Sequence, residues 1–186
     1  MKKRLLINLI LAAALSVGLA AAASPVPSSN PDSDVASKIT HEIRMYSHYS
    51  IWDNVSFRVV NGNVDLLGQV SQPYKKSDLQ RIIASVPGVT AVSNDLEVLP
   101  LSPMDDRLRV QVARAIFRDP VLSGYSMQPV PPIHIIVDNG HVTLEGVVRT
   151  EMEKNVAGIR ANGAGLSFGP VVNNLRVETP SKASHS

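Results

Sequence analysis

The sequence predicts an α+β protein of two tandem αββαβ sandwich domains, each with two helices on one face of a three-stranded sheet. Three observations carry this expectation. Residues 61–70 (NGNVDLLGQV) and 139–148 (NGHVTLEGVV) share Asn, Gly, Val, Leu, Gly and Val at an offset of 78. Residues 92–98 (VSNDLEV) and 171–177 (VVNNLRV) match in turn at an offset of 79. Two matching blocks in the same order mean a duplicated unit. Helix-period and strand-period patterns surround both blocks in the same sequence. The PLSP stretch at 100–103 separates the copies, which gives domains at 34–99 and 104–178.

Each copy opens with a helix. In the first, Val35, Ile39, Ile43 and Tyr46 fall within about 80° on a helical wheel, one apolar stripe. In the second, Ser102 caps, Pro103 suits the first helical position, and Leu108, Val112, Ala115 and Ile116 form the stripe. Asp119-Pro120 stops that helix. A hairpin follows. Val55, Phe57 and Val59 alternate with polar residues, Asn61-Gly62 turns the chain, and Val64, Leu66, Gly68 and Val70 continue the buried face. Pairing across the turn sets Val59 against Val64, Phe57 against Leu66 and Arg58 against Asp65, so apolar meets apolar and charge meets opposite charge. In the second copy Val137 meets Val142 and Ile135 meets Leu144. The turn glycines Gly62 and Gly140, and the strand glycines Gly68 and Gly146, are structural: the latter two let a helix or backbone approach closely. Second helices are expected over about 74–86 and 151–161, and last strands over 90–99 and 171–177. At about 70 residues each copy is marginal alone, so the two should pack together or support each other.

The ends are read separately. Lys2-Lys3-Arg4, an apolar stretch over 5–19 and Ala21-Ala22-Ala23 follow the order of a cleaved secretory signal at 1–23, with Ser24 as the new start and the periplasm as destination. The stretch is short for a membrane anchor, and no stop-transfer charges follow. Residues 24–33 (SPVPSSNPDS) read as a linker and 179–186 (TPSKASHS) as a disordered tail. The chain has 18 basic and 16 acidic residues, net +2. Removing Lys2, Lys3 and Arg4 leaves 15 against 16, a net of −1. The basic whole-chain balance therefore gives no reason to expect a nucleic-acid partner. With no cysteine there is no lipidation site, disulfide or thiolate metal site.

The Asn-Gly-x-Val-x-Leu-x-Gly-x-Val block, a helix, and then Gly-Val-x-x-Val-x-Asn-x-Leu resemble the BON domain. The first copy fits throughout, at Gly62, Val64, Leu66, Gly68, Val70, Pro87-Gly88-Val89, Val92, Asn94 and Leu96. The second fits at its hairpin and last strand. It departs at 125–132 (YSMQPVPP), which lengthens the approach to the hairpin, and at 162–165 (NGAG). An exported chain with two such domains resembles the osmotically inducible periplasmic proteins. The resemblance implies a non-enzymatic protein that binds phospholipid or other envelope components.

Candidate chemistry is sparse. His41 and His48 lie seven positions apart, about 10.5 Å along a helix, too far to share one zinc ion at about 2.0–2.1 Å. A solvated polar face is the better reading. In the second hairpin the register sets His134 against Glu145 and Asp138 against His141, on the face away from the helices. Ordinary cross-strand polar pairing accounts for both pairs. A hydrolase would need His134 and Glu145 plus a nucleophile, and spacing places no Ser or Asp there. No Gly-x-Ser-x-Gly elbow, phosphate loop or His-Glu-x-x-His appears, and Gly163-Ala164-Gly165 reads as a loop. No metal or cofactor is expected.

The second domain's first helix holds Arg107, Arg109, Arg114 and Arg118. Arg107, Arg114 and Arg118 lie within about 40°, with Val110 and Phe117 together on their flank and outside the core stripe. Such a row is either a solvated or interdomain face, or the way a surface helix meets a membrane. The first functional reading is a non-catalytic periplasmic protein that binds anionic phospholipid or the envelope surface, with Arg107, Arg114, Arg118, Val110 and Phe117 as its contact. The alternative is a chaperone-like or scaffolding module that binds proteins through open sheet faces, on which Ile136, Val147 and Leu67 are expected to point outward. Sequence leaves the oligomeric state open.

Overall fold

A computed structural model describes residues 31–165 and 167–178. The expected signal peptide, residues 24–30 of the expected linker and the tail lie outside the described residues. The order is α1 (Pro31–Met45), β1 (Asn54–Val60), β2 (Asn63–Val70), α2 (Pro73–Ala84) and β3 (Ala91–Val98). The second copy continues with α3 (Pro103–Phe117), a 3-10 turn (Ser123–Met127), β4 (Ile133–Asp138), β5 (His141–Val148), α4 (Glu151–Asn162), β6 (Val172–Asn173) and β7 (Arg176–Val177). This is an α+β fold of two tandem αββαβ units. Helix α1 begins at Pro31, so residues 31–33, expected in the linker, are helical.

Both hairpins adopt the expected register. Val59 faces Val64, Phe57 faces Leu66, and Arg58 faces Asp65 with an ion pair of 2.8 Å. Val137 faces Val142 and Ile135 faces Leu144. Asn61, Gly62, Asn139 and Gly140 all have positive φ, the backbone that a two-residue hairpin turn demands. Strand β3 runs parallel to β2, carried there by α2. Each sheet presents one face to its two helices. The first core gathers Val35, Ile39, Ile43, Val64, Leu66, Leu79, Ile83 and Leu96. The second gathers Leu108, Val112, Ile116, Ile133, Ile135, Leu144 and Leu175. Each such aliphatic side chain contributes about 1.5–3 kcal/mol when fully buried.

The first turn of each opening helix locks onto its own hairpin. Asp32 accepts the backbone N–H groups of Asn61 and Gly62 at 2.8 and 3.0 Å. Asp105 accepts those of Asn139 and Gly140 at 3.1 and 2.9 Å. The shared asparagine of the last strand is equally specific: the Asn94 amide donates to the Lys76 carbonyl, and Asn173 to the Lys154 carbonyl, both at 2.8 Å. These bonds tie the last strand to the second helix of each unit.

Two expectations need correction. The last strand of the second copy is interrupted at Asn174 and Leu175, leaving β6 and β7, which both pair with β5. Leu66 faces Asn94 whereas Leu144 faces Asn173, so the second copy spends one more residue between its strands. That residue explains the shift from 78 to 79. The second correction concerns Ile136, expected to point outward: it is buried.

Candidate functional site

Two surfaces emerge from this framework, the outer side of α3 and a groove between the domains. Ser102 caps α3 by accepting the Asp105 N–H, and Pro103 occupies its first turn. Leu108, Val112 and Ile116 enter the core, which turns Arg107, Arg114 and Arg118 to solvent. Arg109 does the opposite. Its side chain is 6 % exposed, donating to the Val137 carbonyl at 2.8 Å and to Asp106 at 2.6 Å. Val110 is 40 % exposed. Phe117, expected outside the core stripe, is half-buried and packs against the second core. Its ring is wide enough to reach the core from the flank, so Val110 is the exposed member of that apolar pair.

The groove arises because the loop before β1 reaches the second domain. Asp53 is fully buried and holds that loop: its carboxylate accepts the N–H and hydroxyl of Ser50, the N–H and hydroxyl of Ser71, and the Lys75 ammonium at 2.6 Å. Ile51 and Trp52 then pack against the second core, and the Ile135 N–H donates to the Ile51 carbonyl at 2.7 Å. Beside this contact lies a groove of about 850 Å³. Thr40, Arg44, Val55 and Phe57 line it from the first domain, and residues 128–132, Val147 and Arg149 from the second. The extra segment at 125–132 that sets the second copy apart is thus a wall of the groove. That departure was the one sequence signal for it. The partner of the wall was hidden, because the loop at 49–53 carries no pattern that announces a second domain.

His134 faces Glu145 and Asp138 faces His141, as the register required. Yet His134 sits at the domain seam, half-buried, with the Tyr49 ring 5.5 Å away. Burial pushes its pKa below the usual histidine value, and its Nδ1 is buried with no hydrogen-bond partner among the described residues. Glu145 is engaged by the Asn174 amide at 2.8 Å. His41 and His48 are exposed, the latter set edge-on between Tyr46 and Tyr74. Among the described residues, no three His, Asp or Glu side chains converge on a point that could hold a metal ion. No described helix is long and apolar enough to cross a membrane.

The sequence profile of the BON domain matches residues 31–100 and again 105–179, the two units seen in the fold. The chain belongs to the BON-domain family. Membership places it with proteins of the membrane and cell envelope. No functionally curated protein matches the chain. Among solved structures, it is similar to the C-terminal domain of CdsD, a structural protein of the type III secretion system of Chlamydia trachomatis. Identity is 17 %, over 78 % of this chain and 65 % of that one, with a TM-score of 0.31. A second structure of CdsD gives 17 % identity over 78 % of this chain and 61 % of that one, also at 0.31. The chain thus spans under two thirds of either solved chain. Two BON units in tandem leave the α3 face and the groove as the surfaces to which a function can be attached.

Proposed function

We propose that this protein is a non-catalytic envelope protein that binds anionic phospholipid through the arginine row of α3. The observation that supports the reading is the sorting of arginines on one helix. Arg109 is spent on β4 and Asp106, while Arg107, Arg114 and Arg118 stay in solvent on the side opposite the core. A chain whose net charge after export is −1 has no bulk field to draw it to a negative surface, so attraction must be local. Each arginine near such a surface contributes about 1 kcal/mol. Three together give about a hundredfold in affinity.

Co-sedimentation with phosphatidylglycerol vesicles tests this. Changing Arg107, Arg114 and Arg118 together to Glu should abolish binding, and salt should weaken the parent protein's binding. Equal binding by the triple variant, or none by the parent, sinks the reading. Export to the periplasm with cleavage before Ser24 belongs to the same reading and is checked by the intact mass of exported protein. A role in osmotic stress belongs to it too, and transcript level after a salt upshift checks that.

A further inference from the structure

A two-residue turn of this kind closes on a hydrogen-bonded pair, here Val60 with Asn63. Antiparallel pairs then alternate: Arg58, Ser56 and Asn54 bond to β2, while the backbone groups of Val59, Phe57 and Val55 point away from it. The second hairpin repeats this register, and there the outward edge is partly occupied. The Ile135 N–H donates to the Ile51 carbonyl at 2.7 Å, and the Val137 carbonyl accepts from Arg109 at 2.8 Å. Phe57 and Val59 are the matching positions 78 residues earlier. The position matching Arg109, counted from the paired Asp32 and Asp105, is Ala36, which has nothing to reach with. The Tyr49 hydroxyl stands beside the Val55 backbone. No partner among the described residues meets the outward N–H and carbonyl groups of Phe57 and Val59.

This bare edge borders the interdomain groove, which Val55 and Phe57 line directly. Tyr125 and residues 129–132 (PVPP) line the same groove from the second domain. Arg44 is exposed and in no ion pair with the described carboxylates, and Glu178 is the one carboxylate in the described lining. Arg149 at the same wall is paired with Glu153. An unpaired edge is a template for a further strand, and main-chain bonds to such an edge supply affinity while side-chain pockets supply selectivity.

We propose that the β1 edge binds an extended segment of a partner polypeptide, which adds beside β1 inside the groove. The segment places alternate apolar side chains against Val55, Phe57 and Val147 and an acidic residue toward Arg44. The second domain meets part of the matching edge internally, where the Ile135 N–H of β4 donates to the Ile51 carbonyl. The site is separate from the α3 face, so lipid binding and strand binding stand or fall apart.

The probe is a short capped peptide of alternating valine and threonine with aspartate at both ends, added to the mature protein. Amide hydrogen exchange at Phe57 and Val59 should slow by about tenfold or more at saturation. The same peptide N-methylated on alternate residues, made in both phases, should lose binding in the phase that blocks the amides facing β1. Arg44→Glu should weaken binding, most at low salt. Phe57→Pro removes the edge N–H, a change tolerated on edge strands, and should abolish it; if that variant does not fold, the N-methylated peptides decide. Unchanged exchange at Phe57 and Val59, or equal binding by both N-methylated phases, overturns the proposal. So does protection of those amides by concentration alone, with a dimer in sedimentation, because the guest is then a second copy.

Discussion

Lys75 Nζ lies 2.6 Å from Asp53 Oδ2, with side-chain exposures of 6 % and 0 %. The pair joins the first turn of α2 to the loop that carries Ile51 and Trp52 into the second domain. The two copies differ sharply here. The matching residue of α4 is Glu153, which closes a capping box with Thr150 and accepts the Tyr125 hydroxyl at 2.9 Å. One fold position thus serves domain docking in the first copy and helix capping in the second.

Removing one member of a buried pair strands the other's charge, at about 3–5 kcal/mol. Lys75→Ala should therefore lower stability by several kcal/mol in denaturant titration. It should also shift the emission of Trp52, the sole tryptophan, because the docking loop loses its anchor. A variant with unchanged midpoint and emission contradicts this account of the seam.

Gly146 has φ +116°, and a Cβ there would run into the Pro132 carbonyl. Gly68 repeats the arrangement at φ +113° against the Asn54 carbonyl. The close approach is by backbone, at Asn54 in β1 and at Pro132 just before β4. Gly146→Val should destabilise the second domain by about 1–3 kcal/mol from the backbone conformation alone, with the collision in addition. Calorimetry would show the loss, and an unaltered melting profile would contradict it.

Phe117 packs on the second core, so Phe117→Ala should lower the melting temperature of the second domain. Its effect on vesicle binding should be smaller than that of the arginine reversals. Val110→Ser, on an exposed site, should leave the melting temperature nearly unchanged while reducing vesicle binding at high salt, where the apolar contribution dominates. A reversal of these two patterns would show that the apolar contact had been assigned to the wrong side chain.

His134 should make the seam sensitive to acid. Its folded pKa is held below 6.5, chiefly by burial, while the Ser50 and Asp53 backbone and the Asp53 and Glu145 carboxylates pull the other way. The Tyr49 phenol beside it, pushed up to about 12 chiefly by burial, stays neutral. The native state therefore binds fewer protons than the unfolded chain just below pH 6.5, and stability rises with pH there. The contribution is complete above pH 6.5 and is lost as the pH falls from there through the folded pKa. His134→Phe should flatten this slope in melting temperatures measured from pH 7.5 down to 5; a persisting slope would assign it to other groups.

Local pattern was enough for much of this molecule. The Asn-Gly turns and the two-residue period determined both hairpin registers, since a slip by one residue would turn Leu66 and Leu144 out of their cores. The stripes at Ile39–Ile43 and Leu108–Ile116 likewise committed α1 and α3 to one face. The motif asparagines were visible as a repeat, although their bonds to Lys76 and Lys154 were not.

What the sequence by itself determined is therefore the duplicated unit, its strand pairing and the sides of its helices, because those follow from spacing within a few residues of chain. Tertiary structure alone decided that Arg109 turns inward to Val137, that Ile136 is buried, that Phe117 reaches the core, and that Ile51 meets the Ile135 N–H on the edge of β4 while the matching N–H of β1 stays bare. Each of those outcomes depends on which distant surface arrives beside a residue. Helical and strand periods say which way a side chain leaves the backbone and nothing about what it meets there.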